Sequence, residues 1–159
     1  MGEMDADLDA IERALGSLLR LSASRRVFAD RAAAAGVVVS QPGSDLLSRL
    51  GDGVAMSLGD LGRTTHMDPS AVGRQVRQLE AHGLLVREPD PDDGRVTRVR
   101  ATRHGDDVRR RLGEAGRRHV ADALSAWTPA DRAGLARLLP QLVADMRAHR
   151  YPSWTEETA

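Results

Sequence analysis

The chain has no cysteine, and that absence alone removes disulfide scaffolds, thiolate metal sites and the sensing of peroxide by thiol oxidation. Lysine is missing as well: all 23 basic residues are arginine, a bias that a GC-rich coding sequence accounts for without any selected role for the guanidinium. Aromatic residues make up only 3% against 41% hydrophobic residues, so the core has to be built from Leu, Val and Ala, which leans towards helix. Neither sign of charge is in excess, since 23 acidic residues balance 23 basic ones, and any nucleic-acid partner must be signalled by where the arginines fall. No stretch approaches the roughly 18 unbroken apolar residues of a membrane-spanning helix. Met1 to Asp9 carries Glu3, Asp5, Asp7 and Asp9, where a secretory signal needs a basic start and an apolar run. A soluble, cytoplasmic protein with no membrane partner is the expectation, with 159 residues read as one unit over 1–159.

Leu8, Ile11, Leu15, Leu18, Leu19 and Ser22 fall on one stripe of an amphipathic helix, predicted over 5–35, with Gly36 placed to end it. The β-branched run Val37-Val38-Val39 does not easily continue a helix. Ser40 is placed to cap a short second helix carrying Leu46, Leu47 and Leu50, closed by Gly51-Asp52-Gly53. A third, from about Leu58 to Arg63, precedes Asp68-Pro69, a good cap followed by a residue suited to a first helical turn. In the helix that follows, Val72, Val76 and Leu79 share one side, while Ser70, Gly73, Arg74 and Arg77 share the other. It is expected to stop at Gly83.

Leu84 to Glu88 is strand-like, Pro89 to Gly94 is dense in turn formers, and Val96 to Ala101 reads as the return strand, with Asp93-Gly94 as the hairpin signal. Thr97, Val99 and Ala101 occupy one face of that strand, Arg98 and Arg100 the other. Thr102 is placed to cap a long fifth helix with Val108, Leu112, Ala115, Ala123 and Trp127 at near-heptad spacing, and arginines at 109–111, 117 and 118 opposite. Thr128-Pro129 repeats the capped start, and Leu135, Leu138, Leu139, Leu142, Val143 and Met146 form the cleanest stripe, interrupted by Pro140. Beyond Arg150 a polar, frayed end is expected.

The predicted fold is therefore mainly α with a small two- or three-stranded β wing: a winged helix-turn-helix over 37–101, flanked by helices at 5–36 and 102–150 expected to dimerise. The second helix of such a motif fits the major groove of B-DNA. Gly73 permits close approach, Ser70 near the helix start suits a phosphate, and Arg74 or Arg77 offers a bidentate fork to guanine. Gln78 lies one step round the wheel, within reach of adenine or backbone, and Arg98 completes the candidate contacts from the wing. Arg95, just after the turn, suits a narrow minor groove, with Asp93 in place to hold its side chain. Any one of these arginines alone would be an ordinary solvated charge; three on the reading surfaces of one motif shift the balance.

No nucleophile elbow, phosphate loop or metal-spaced cluster is present, so no enzyme and no cofactor is expected. His149 four residues after Asp145, and His119 three before Asp122, have spacings that share a helix face, but exposed polar residues explain them better than a metal site. A winged helix used as a protein-interaction module is the competing reading.

The run Val72 to Arg87, with Asp93-Gly94-Arg95 in the wing and Ala101-Thr102-Arg103-His104-Gly105 opening the next helix, resembles the multiple antibiotic resistance regulator (MarR) family from Leu8 to Met146. The resemblance implies a dimer paired through the first, fifth and sixth predicted helices, gripping a pseudo-palindromic operator. It implies a transcriptional repressor, released by a small aromatic or phenolic acid bound between the dimer helices and the DNA-binding lobe; a ligand-independent regulator stays open. It also implies recognition contacts at Ser70, Arg74 and Arg77, a wing contact at Arg95 and support from Asp93. Two positions depart from the pattern: Gly62, where alanine is usual, and Pro140 in the sixth helix.

Overall fold

In the computed structural model, residues 2–51 and 53–149 are described, and they form seven helices and three strands. The chain divides into one unit ending at Arg118 and a second beginning at His119. Asp52 and the polar end beyond Arg150 lie outside the described residues.

The single first helix expected over 5–35 is two helices, α1 (Gly2–Ser22) and α2 (Arg25–Ala35). Ser24 makes the break. Its backbone is extended (φ −71°, ψ 117°) and its side chain accepts from the Val27 amide at 3.4 Å, so it acts as an N-cap in the middle of the expected helix. Ser22, which fits the apolar stripe by spacing, is the last residue of α1. Gly36 ends α2 as expected, in the left-handed region at φ 64°, with Val37 N bonded back to Ala32 O at 3.0 Å. Ser40 caps α3 (Gln41–Arg49) by accepting from Gly43 N.

A strand too short to show alternation, β1 (Ala55–Ser57), precedes α4 (Leu58–Thr65) and α5 (Pro69–Ala81). It pairs antiparallel with β3 (Thr97–Ala101), which pairs on its other edge with β2 (Leu85–Pro89), so the wing is a three-stranded sheet in the order β1-β3-β2. Val99 faces Met56 on one side and Arg87 on the other, and is completely buried. The turn is not the tight Asp-Gly hairpin that was expected. Gly94 is not among the positive-φ glycines that such a turn requires. Instead the Asp90 carboxylate accepts from the amides of Asp92 and Asp93, and Asp90 N bonds Val96 O at 2.8 Å, closing a longer loop.

Leu46, Leu47, Leu50, Leu61, Val72, Val76 and Val99 are fully buried and join α3, α4, α5 and β3 into one aliphatic core. α6 (Arg103–Ala123) is fixed to it at Gly105: a Cβ there would stand 2.2 Å from Leu84 O, so only glycine lets helix and strand meet. Thr102 completes that joint, donating to Gly83 O at 2.7 Å and accepting from Gly105 N at 3.1 Å. Val108, Leu112 and Ala115 of the predicted stripe are buried, whereas Ala123 is exposed and Trp127 lies past the end of the helix. In the second unit, Thr128 caps α7 (Pro129–Ala148), which carries Pro140 and buries no residue.

Candidate DNA interface

Two helices and the turn between them are set by side-chain caps. Ser57 caps α4 by accepting from Asp60 N at 3.1 Å while donating to the Asp60 carboxylate at 2.7 Å. That hydrogen bond, with the nearby Arg63 charge, holds the Asp60 carboxyl below its ordinary value. At the other end His66 takes a left-handed conformation (φ 55°), and Met67 N returns to Gly62 O at 3.1 Å. The chain thus folds back over Gly62, where a Cβ would sit 3.2 Å from Met67 O. The glycine that departs from the family pattern lies under the turn itself.

Asp68 then caps α5, accepting from Ala71 N at 2.9 Å and from the Ser70 hydroxyl at 2.6 Å. Those two bonds, the Ser70 one foremost, keep its carboxyl below the usual range, and Arg74 adds to the effect. Val72, Val76 and Leu79 are buried, which fixes the rotation of the helix and turns Arg74, Arg77 and Gln78 outward. Gly73 is half-buried, and a Cβ on it would lie 3.7 Å from the Arg77 guanidinium, so Arg77 runs along the helix over the glycine. Ser70 is exposed, but its proton is committed to Asp68, so binding a phosphate requires the hydroxyl to turn away from its cap.

The wing treats its arginines differently. Arg98 pairs with Asp90, Arg100 with Glu88 at 3.2 Å, and Arg87 reaches back to Glu80 of α5 at 2.9 Å. Arg98, a sequence candidate for DNA contact, is therefore engaged within the hairpin. Arg95 is exposed on the loop and has no ion pair among the described residues. Asp93 bonds the backbone N–H of Arg95 at 3.0 Å, ordering the loop rather than the guanidinium, as had been expected of it. The structure also draws attention to Gln75, which was not among the candidates: its Oε1 accepts from the Ser40 hydroxyl at 2.8 Å. The signal was present in the spacing, since Val72, Gln75 and Leu79 are three and four apart and share a stripe.

Helix, turn, helix and a three-stranded wing, with a basic face on the second helix, define a winged helix-turn-helix protein. Comparison with known proteins shows which family of that class the chain is similar to. The MarR family profile matches residues 44–96, from α3 to the wing tip. The HTH-type transcriptional regulator YdgJ of Bacillus subtilis is 31% identical over 109 residues, 69% of this chain. The alignment spans 64% of that relative's length. Among solved structures, RV1404 from Mycobacterium tuberculosis is 28% identical with a TM-score of 0.69, covering 88% of this chain and 92% of that one. A MarR family protein from Bacillus stearothermophilus has the same fold at a TM-score of 0.75, with 19% identity and coverage of 92% and 98%. The chain thus resembles the MarR family in sequence from α3 to the wing tip, and its fold along most of its length is that of the solved MarR structure.

Proposed function

We propose that the protein is a homodimeric, sequence-specific regulator of transcription that binds duplex DNA through α5 and the Arg95 loop. The observation that carries this reading is the division of α5 into a face whose apolar side chains are locked in the core and a face with two arginines free of any ion pair among the described residues. In the reading, Arg74 offers its fork to a base edge, Arg77 and Arg95 contact backbone or minor groove, and Gln78 reads or steadies. Ser70, Gly73 and Asp93 shape the approach, while Arg98 acts through the loop that Asp90 holds. The winged lobe over 37–101 is the DNA-binding part and the flanking helices the dimerising part.

Dimerisation is supported by apolar stripes that each unit leaves uncovered. α1 exposes Leu8, Ile11, Leu18 and Leu19, and α7 exposes Leu138, Leu139, Val143 and Met146. We further read the protein as a repressor released by a small organic acid. A cavity of about 320 Å³ beside the end of α5 is within the range of ligand sites, and His82, His104 and Arg111 with Asp107 supply its polar groups. Such a ligand acts only by preferring one spacing of the recognition helices over another.

A band-shift series with the protein's own upstream DNA tests the reading. Binding that is sequence-specific and weakens steeply with salt is expected. Binding to protein partners with no affinity for duplex DNA would instead make the lobe an interaction module. Operator affinity unmoved by a panel of aromatic acids would leave a ligand-independent regulator.

A further inference from the structure

Gln75 lies on α5 beside the outward Arg74, yet its amide is engaged by Ser40, the N-cap residue of α3. The Ser40 hydroxyl that it meets has a single proton. One oxygen lone pair is taken by Gly43 N, at 3.1 Å in the N-cap of α3, so the proton goes to Gln75 Oε1 at 2.8 Å. One serine therefore caps α3 and clamps α5 together. A second feature brings the same two helices into close contact. Gly43 is buried, and a Cβ on it would lie 3.0 Å from Ser40 Oγ and 3.3 Å from Leu79 Cδ2. The first turn of α3 is thus seated directly on α5 beside the clamp. Gln41, the residue after Ser40, donates from Nε2 at 3.2 Å to the carbonyl of Ser22, the final residue of α1. Ser40 and Gln41 together tie the end of α1 to the flank of the recognition helix.

We propose that Gln75 is a positioning residue: through Ser40 it sets the tilt of α5, and with Gln41 it makes that tilt follow the end of α1. The proposal rests on the DNA-binding reading given above. In a two-fold dimer the tilt of the two recognition helices sets the spacing of half-sites that they fit, so Gln75 governs spacing rather than base preference. Removing its acceptor leaves Arg74, Arg77 and Arg95 in place while releasing the angle at which they are presented.

The test uses the full chain and an operator selected from random duplexes by the wild-type protein. Affinity is measured on that operator and on versions with the spacer one base pair longer or shorter. Gln75→Met keeps the side-chain length and loses the acceptor; Gln75→Glu keeps an acceptor for the Ser40 hydroxyl. Gln75→Met is expected to reduce the preference for native spacing by about threefold or more, with half-site base preference unchanged. Gln75→Glu is expected to restore the preference even if its charge lowers affinity throughout. The proposal is overturned if Gln75→Met relaxes one base position with spacing preference intact, if it lowers Tm alone, or if Gln75→Glu fails to rescue. Should the wild type bind no duplex at all, the DNA-binding reading fails separately. The clamp is then judged by thermal unfolding of Ser40→Ala, Gln75→Met and the double variant: non-additive losses support it and additive losses refute it.

Discussion

The winged lobe and the α7 helix are both rich in leucine and valine, but they use them in opposite ways. In the lobe, Leu46, Leu47, Leu61, Val72 and Val76 are shut off from solvent by one another. Over the 20 residues of α7 none is buried, although its stripe is the more regular of the two in sequence. A regular stripe records a face that needs covering; it does not say which chain covers it. The charges divide along a similar line: the wing pairs Arg98 and Arg100 internally and Arg87 with Glu80 of α5, while Arg74 and Arg77 on α5 have no ion pair among the described residues. One region buries its apolar side chains within the chain, and the other leaves them exposed.

The largest effect is expected where the lobe is tightest. Gly105→Ala forces a Cβ against the Leu84 carbonyl and should cost about 3 kcal/mol or more, read by urea unfolding. A smaller loss would mean that the joint between α6 and β2 gives way more easily than its packing implies. On the uncovered side, Leu139→Asp should leave the lobe's fold intact and weaken self-association by about 2 kcal/mol or more. Sedimentation of the variant as an unchanged dimer would remove α7 from the interface.

Arg74→Ala should cost about 1–3 kcal/mol of operator binding and relax preference at one position in each half-site. Arg95→Ala should weaken binding evenly across sequences and flatten its salt dependence. If Arg77→Ala rather than Arg74→Ala abolishes specificity, the reading edge of α5 is the neighbouring one. A smaller gain comes from the turn: His66→Gly relieves a side chain in the left-handed region and should stabilise by about 0.5–1 kcal/mol in urea unfolding, and a loss instead would show that the imidazole stabilises the turn by more than its backbone strain costs.

Acid titration sharpens the same contrast. Asp60, Asp68 and Asp90 all have carboxyls held below the usual value, chiefly by hydrogen bonds from Ser57, Ser70 and the Asp92 amide. A folded pKa below the unfolded one contributes stability above about pH 4 that is lost as pH falls through the folded value. Thermal midpoints should therefore be level near neutrality and drop below about pH 4. Asp68→Asn, which can still cap, should shorten that acid limb.

Much of this fold was legible because local chemistry decides it. Ser40, Asp68, Thr102 and Thr128 cap helices as their side chains predict, and Gly36 and Gly83 adopt the positive φ that a helix end requires. The rest depended on choices among equal local options. Ser24 lies in a polar stretch where continuing and capping differ little, and β1 is only three residues long. Asp93-Gly94 fits a tight hairpin, but the Asp90 carboxylate offers the loop two backbone hydrogen bonds and a wider closure. In the candidate site, periodicity separated the outward arginines of α5 from its core face. It placed Arg98 and Gln75 on their faces but gave neither a partner, since Asp90 and Ser40 are brought to them by tertiary structure.

The central claim is that two copies of the α5 face read DNA together, and its most direct test is selection of bound fragments from random duplexes by the purified protein. The account predicts enrichment of a pseudo-palindrome with half-sites about 10 base pairs apart, lost when Arg74 and Arg77 are both replaced by alanine in a folded dimer. Enrichment of an asymmetric site, or of none while the double variant binds as well as the wild type, would contradict it.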